Sequence, residues 1–78
     1  MNPTDLINAL NDGRTVVDSI HGTILYQIKD RVFIQTPCLL TETPKISAWA
    51  VRGLSAEMFD KKNNHIMTVR AKYFGVKE

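Results

Sequence analysis

The side chains that could take part in catalysis or hold a metal are few and lie far apart in the sequence. His21 and His65 are the only histidines and Cys38 is the only cysteine, and Asp18 is the one acid that we add to this set. A nucleophilic enzyme needs a hydroxyl or thiol beside a base that an acid orients. No C-x-x-C, H-x-x-x-H or E-x-x-H spacing pairs two of these residues for a metal. We therefore expect no enzymatic activity, no catalytic residue, no metal and no cofactor.

Binding of phosphate by a glycine-rich loop is not indicated either. The four glycines, Gly13, Gly22, Gly53 and Gly75, lie far apart, and a turn, a helix end or a bulge accounts for each of them. The net charge is +2, but residues 1–40 hold three basic and four acidic residues, whereas residues 41–78 hold seven and four. This basic excess permits an anionic partner without requiring one.

Nucleic-acid binding is the first alternative function, because basic and aromatic residues share the C-terminal half. Alternation places two of the basic residues on one face of a strand, and a neighbouring aromatic ring offers a stacking platform. Glu57 and Asp60 dilute the positive charge, and the aromatic residues are equally well explained as core. The residues of this interpretation are Lys61, Lys62, Arg70, Lys72 and Tyr73.

Binding to another protein is the function that the sequence favours. Leu39 and Leu40 lie in a segment bounded by Pro37 and Pro44, which is unusually apolar for a loop. Either these leucines tuck beneath the sheet of their own domain, or they face a partner. Together with Trp49 they are the predicted partner-binding residues, and the partner is expected to be another protein.

One resemblance adds to this interpretation. The opening segment Leu6–Val16 reads LINALNDGRTV, a short amphipathic helix followed by an acid-Gly-basic turn and a β-rich run. It resembles the start of many small phage-encoded early proteins. The resemblance implies a protein that binds and disables a host protein or a host defence, or an oligomer that sequesters a small ligand.

The elements that must position these residues begin with one helix. Asn2, Pro3 and Asp5 are typical of a helix start, and Gly13 of a helix end, so we predict a helix near residues 3–12. From residue 14 the pattern changes to β-branched and aromatic runs. These predict strands over 15–17, 23–28 and 32–36, with Ile24, Tyr26 and Ile28 on one face of a hairpin whose turn is residues 29–31.

Residues 45–59 fit two structures. Ile46, Trp49, Ala50 and Leu54 have helical spacing. The alternation of Ser47, Trp49 and Val51, and of Leu54, Ala56 and Met58, fits strands. Gly53 disfavours the helix, and we predict strands. The last strand is predicted over residues 65–74, with Met67, Val69, Ala71 and Tyr73 on one face.

These elements predict an α+β fold, a short N-terminal helix packed on an antiparallel meander of four to five strands, in a single domain of residues 1–78. No run of apolar residues approaches the length of a membrane span, and residues 1–5 lack the basic start of a secretory signal. A cytoplasmic protein is therefore expected. A domain of 78 residues has a thin core, and with the apolar Leu39-Leu40 segment this predicts a homodimer.

Overall fold

A computed structural model of the chain describes residues 1–77 and contains one helix, α1 (Pro3–Asn11). The side chain of Asn2 accepts a hydrogen bond of 2.8 Å from the backbone N–H of Asp5, as a helix cap should. Pro3 occupies the first turn, where its missing N–H is not needed. Gly13, at φ +78°, turns the chain away after the helix. The predicted helix is confirmed.

Eight strands follow, all paired antiparallel. They are β1 (Val16–Asp18), β2 (Ile24–Ile28), β3 (Arg31–Gln35), β4 (Leu40–Glu42), β5 (Ala48–Arg52), β6 (Ser55–Phe59), β7 (His65–Arg70) and β8 (Phe74–Val76). Five of them form a sheet in the order β4-β3-β2-β1-β8, and three form a sheet in the order β5-β6-β7. The predicted α+β class, with a short N-terminal helix on antiparallel strands, is confirmed.

The strands are more numerous than a meander of four to five, because two segments behave differently from the prediction. The segment between Pro37 and Pro44 contains β4, which lies at a sheet edge, where neighbouring prolines are tolerated. The predicted strand 65–74 is interrupted by a turn in which Phe74 N–H donates to Ala71 C=O at 3.0 Å. This turn carries the chain from the three-stranded sheet to the five-stranded sheet, so the prediction of one continuous strand was wrong.

Residues 45–59 contain β5 and β6, which confirms the prediction of strands over helix. Gly53 lies between these two strands with φ +59°, in the left-handed conformation that glycine adopts most easily. Arg52 pairs with Ser55 at the end of the hairpin. A helix through this position would have placed a flexible glycine in its interior.

The core lies between the two sheets and the helix. Helix α1 contacts both sheets, and its Leu6 and Leu10 are fully buried. From the five-stranded sheet, Val16, Leu25 and Val32 face this core. The three-stranded sheet contributes Ala56, Met58 and Val69, and the remaining buried apolar residues are Ala9, Ile46, Ala71 and Phe74.

None of the helical structure in residues 1–77 has the length and hydropathy that a membrane-spanning helix requires.

Candidate functional site

The face of the five-stranded sheet that points away from the core is largely apolar. Strand pairing aligns Val17 with Ile24, Ile24 with Gln35, and Gln35 with Leu40, and it aligns Tyr26 with Phe33. Cross-strand partners share a face and successive residues alternate between faces. The outer face, as we define it, consists of Val17, Ile24, Tyr26, Ile28, Phe33 and Leu40.

The outer face is separate from the core of the protein. Its neighbours in sequence, such as Val16, Leu25 and Val32, are the residues that are buried. Within residues 1–77, none of the six outer-face residues belongs to the buried core or packs against it. Ile28 and Leu40 are 52% and 56% exposed. Six apolar side chains on one uncovered sheet face exceed the scattered exposed residues that any surface carries.

An aromatic pair lies at the centre of the outer face. The rings of Tyr26 and Phe33 are stacked, with centroids 5.3 Å apart and planes at 5°, and the two residues are direct cross-strand partners. Because each ring restricts the other, the Tyr26 and Phe33 side chains lose little conformational freedom when a partner covers them. Charged residues on the same face stand at its margin, where Arg31 pairs with Ile28 and Glu42 with Phe33, and the polar Gln35 lies among the apolar residues. An apolar centre with a charged margin is the usual arrangement of a protein–protein interface.

Of the two predicted leucines, Leu40 belongs to the outer face and Leu39 precedes it in the turn between β3 and β4. Leu39 is 62% exposed and Leu40 is 56% exposed, so neither tucks beneath the sheet. The backbone carbonyl of Leu39 accepts from Thr36 N–H at 2.8 Å, which closes the short turn between β3 and β4. Trp49, the third predicted residue, pairs with the buried Met58 on the inward face of the three-stranded sheet and packs against the core. The structure therefore brings Leu40 to the outer face and places Trp49 elsewhere.

The five residues of the nucleic-acid interpretation fall into two groups. Lys61 and Lys62 lie in the turn between β6 and β7. Arg70 ends β7, and Lys72 and Tyr73 follow it, with the Lys72 ammonium 5.3 Å from the centre of the Tyr73 ring. The six residues of β7 separate the groups by roughly 17 Å. These residues therefore do not form one continuous surface.

The histidines each have an acidic neighbour. His21 Nδ1 donates to Asp18 Oδ2 at 2.9 Å, and Asp18 Oδ1 accepts from the backbone N–H groups of Ile20 and His21. The hydrogen bond from His21 is the largest influence that holds the pKa of Asp18 below its ordinary value of 3.8, aided by the two backbone N–H groups and opposed by burial. This arrangement fixes the turn between β1 and β2.

The second histidine resembles part of a catalytic triad without its geometry. His65 Nε2 is hydrogen-bonded to Thr68 Oγ1 at 2.7 Å, and Glu57 Oε2 lies 3.7 Å from the same ring nitrogen. In a triad the acid holds the opposite nitrogen of the imidazole and so orients the base. Here the acid and the hydroxyl share one nitrogen. Among residues 1–77, no three His, Cys, Asp or Glu side chains converge as metal ligands, and Cys38 is exposed as a free thiol.

Comparison of the chain with protein-family models, with curated proteins and with solved structures finds no significant match.

Sequence reasoning missed the aromatic pair at the centre of the outer face. It placed Ile24, Tyr26 and Ile28 on one face of the hairpin, which the pairing of β2 with β3 confirms, but it did not recognise that face as uncovered. A signal was present in β2, where Ile24, Leu25, Tyr26 and Ile28 leave Gln27 as the only polar residue. A strand apolar on both faces has either two covering layers or one exposed apolar face, and a chain this short has only one helix to cover its sheets.

Proposed function

We propose that this protein is a non-enzymatic protein-binding module, and that the outer face of its five-stranded sheet docks on a partner protein. The observation that carries the proposal is the stacked pair Tyr26–Phe33 at the centre of six apolar side chains on the side opposite the core. Paired aromatic rings in the middle of an apolar patch are typical binding hot spots. The resemblance of residues 6–16 to phage-encoded early proteins supports a role in which docking blocks the activity of a host protein.

A photo-crosslinking experiment tests this docking surface directly. A photo-reactive amino acid replaces Gln35, which lies on the outer face between Ile24 and Leu40, or Arg52, which lies on the outward face of the three-stranded sheet. Each protein is irradiated in nuclease-treated lysate of the source cell, and crosslinked peptides are identified by mass spectrometry. We expect one protein to crosslink from position 35 and not from position 52. Equal crosslinking from both positions, or none from position 35, would contradict the proposal.

Substitutions then measure the energy of the contact. Phe33→Thr removes one ring of the pair while keeping a good strand-forming residue. Phe59→Thr makes the same change on the three-stranded sheet, where Phe59 packs edge-on against His65. Loss of a hot-spot aromatic residue costs about 2 kcal/mol or more, which corresponds to about 30-fold in affinity. We expect that loss for Phe33→Thr and little change for Phe59→Thr, measured by calorimetry with the identified partner.

We also propose that two copies of the chain form a dimer through the β4 edge. Thr43 N–H donates to Val32 C=O at 2.9 Å and Thr36 N–H donates to Leu39 C=O at 2.8 Å. Hydrogen-bonded pairs alternate along an antiparallel ladder, so residues 39, 41 and 43 face β3. The N–H and C=O groups of Leu40 and Glu42 therefore point outward. A two-fold axis at Thr41 aligns Leu40 of one copy with Glu42 of the other and forms four backbone hydrogen bonds.

This dimer joins two five-stranded sheets into one and keeps both outer faces on the same side. Glu42→Pro removes an outward N–H that the isolated chain does not use, and proline is tolerated at such edge positions. We expect light scattering to give twice the chain mass of 8.8 kDa for the natural protein and the single mass for Glu42→Pro. A single mass for the natural protein at tens of micromolar concentration would rule out this dimer.

A further inference from the structure

A second surface of the protein is a cavity at one end of the three-stranded sheet, distinct from the outer face. Its volume is about 460 Å³, within the range of roughly 300–1,000 Å³ that is typical of small-molecule sites. Three lysines and one aspartate supply its charged lining, Lys45, Lys61, Lys62 and Asp60. Pro44, Ser47 and Asn64 complete the wall.

The fold holds the backbone of the lysine-bearing turn in a fixed shape. Asp60 Oδ1 accepts hydrogen bonds of 2.9 Å from the backbone N–H groups of both Lys62 and Asn64. Asn63 adopts a left-handed conformation with φ +64°, and its N–H donates to Asp60 C=O. Lys61 and Lys62 therefore project from a tight, internally bonded turn. Lys45 is brought beside it because Ser47 N–H donates to Phe59 C=O at 2.8 Å.

Asp60, the one acid that lines the cavity, is the acceptor of the hydrogen bonds that shape the turn. The pKa of Asp60 is lowered chiefly by the N–H of Asn64, with further contributions from Lys62 and from the Asn64 side chain. Its second oxygen accepts from the Asn64 side-chain amide at 3.3 Å. The Asp60 carboxylate therefore bonds to groups of its own turn, and the lysines supply the positive charge of the cavity wall.

Two more basic residues come from the turn between β2 and β3 and from the first position of β3, which adjoin the segment that carries Lys45. Ile46 N–H donates to Asp30 C=O at 2.7 Å, which places the turn between β2 and β3 against the residue that follows Lys45. Arg31 reaches the same segment, since its Nη1 donates to Thr43 C=O at 3.3 Å. We call Lys29, Arg31, Lys45, Lys61 and Lys62 the basic end.

Half of the chain's ten basic residues are therefore gathered at one end of the molecule. In residues 1–77, no lysine or arginine lies within 4.0 Å of a carboxylate, and the two base–carboxylate contacts there are those of His21 with Asp18 and His65 with Glu57. Asp30, Asp60 and Glu42, which adjoins the Thr43 carbonyl that Arg31 contacts, are the acids near these residues, which leaves an excess of two positive charges at this end. This excess equals the net charge of +2 of the whole chain, so the positive charge is concentrated here and its field attracts anions.

We propose that the basic end binds the phosphate groups of a small phosphorylated molecule, which enters the cavity between Lys45, Lys61 and Lys62. Lysine ammonium groups are common phosphate ligands that act as point charges, and the Ser47 hydroxyl and Asn64 amide in the wall add hydrogen-bond donors. A concave site with several cations suits a compact polyphosphate. No aromatic residue lines the cavity, and the stacking platforms that a nucleic-acid strand uses are therefore not part of it. The ligand class is a small phosphate ester or polyphosphate.

Calorimetric titration with inorganic triphosphate tests the proposal. The triple variant Lys45→Gln, Lys61→Gln, Lys62→Gln removes the cavity lysines. The control Arg52→Gln, Lys72→Gln, Lys77→Gln lowers the net charge equally at positions that do not line the cavity. Since a hydrogen bond to a charged group is worth at least about tenfold in affinity, we expect the cavity variant to bind at least about tenfold more weakly. The control should remain within about threefold of the natural protein, because it loses only general attraction.

Two results would overturn the proposal. Equal weakening by both triple variants would mean that the triphosphate responds to net charge and not to the cavity. A single-stranded oligonucleotide that binds more tightly than triphosphate, with both triple variants reducing that binding, would mean that the basic end is part of an extended nucleic-acid surface. Urea unfolding of both triple variants establishes that each is folded before affinities are compared.

Discussion

Thr43 joins strand β3 to the segment after β4 through both its backbone and its side chain. It is 5% exposed, its Oγ1 accepts from Val32 N–H at 3.0 Å, and its own N–H donates to Val32 C=O at 2.9 Å. Val32 is completely buried, so its N–H has no access to water. The Thr43 hydroxyl is therefore the hydrogen-bond acceptor for a buried N–H group of β3.

Thr43→Val keeps the shape of this side chain and removes the acceptor. Because a buried N–H left without a partner costs about 1–3 kcal/mol, we expect the free energy of unfolding to fall by about 2 kcal/mol. Thr41→Val makes the same change at an exposed position of β4 and should alter stability by no more than about 0.5 kcal/mol. Urea unfolding followed by circular dichroism measures both. Equal effects of the two substitutions would show that the Thr43 hydroxyl has no special role.

Asp18 gives the stability of the fold a dependence on pH. Its pKa in the folded protein is lowered by the hydrogen bonds from His21 and the backbone, so its stabilising contribution is present above the ordinary value of 3.8 and is lost as pH falls below it. Asp18→Asn should therefore destabilise the protein at pH 7, and the difference from the natural protein should shrink at pH 3. Chemical unfolding at the two pH values tests this. The exposed Asp12→Asn is the control, for which no such narrowing is expected.

The sequence singled out Leu39 and Leu40, which lie on or next to the outer face, but not the aromatic pair at the centre of that face. Leu39 and Leu40 stood out because they are apolar residues between two prolines. Tyr26 and Phe33 looked like ordinary strand residues, because the face of the sheet that becomes covered depends on where the helix packs. That choice is made by contacts distant in sequence, such as those of helix α1 with both sheets.

Among the elements, the hairpin of β5 and β6 depends on the conformation of one glycine. Gly53 has φ +59°, and a Cβ at this position would meet no atom within 4 Å. The cost of a side chain there is therefore a backbone cost alone. Gly75 in β8 has the same open surroundings and an ordinary strand conformation.

The two glycines form a matched pair for mutation. Gly53→Ala should lower stability by about 1 kcal/mol, because a left-handed conformation disfavours a residue with a Cβ by about 1–2 kcal/mol. Gly75→Ala should be neutral or stabilising, since alanine restricts the unfolded chain more than glycine does. Thermal or urea unfolding measures the difference. A Gly75→Ala protein as unstable as Gly53→Ala would argue against the backbone explanation.

The helix and strands were largely predictable from the sequence, and the predictions that were wrong have local causes. Asn2, Pro3 and Gly13 mark both ends of α1 by their own chemistry. The turn at Ala71–Tyr73 had no such mark, because Met67, Val69 and Ala71 continue the alternation into it. The division into two sheets was likewise not predicted, because alternation with a period of two residues indicates a strand but does not identify the strand with which it pairs.

For the molecule as a whole, Phe74 fastens the last strand to the core. It is 8% exposed, whereas the adjacent Tyr73 is 40% exposed, so Tyr73 does not share the buried face of Val69 and Ala71 with which alternation had grouped it. Phe74→Ala should cost about 3 kcal/mol or more, a large part of the stability expected for a small domain. Tyr73→Ala should cost less than about 1 kcal/mol. Differential scanning calorimetry compares the two, and similar transition temperatures would mean that Phe74 is not the anchor.

The pairing of β1 with β8 also governs what happens while the protein is being made. Asp18 is aligned with Phe74 and Val16 with Val76, so β1 gains this neighbour only after the intervening residues 19–73 have been synthesised. At about 5–20 residues per second, a ribosome takes several seconds to pass from one strand to the other. During that time the nascent chain has an unpaired β1 edge and lacks the phenylalanine that closes its core. A messenger truncated shortly before codon 74 would therefore yield a product prone to aggregation and to proteolysis.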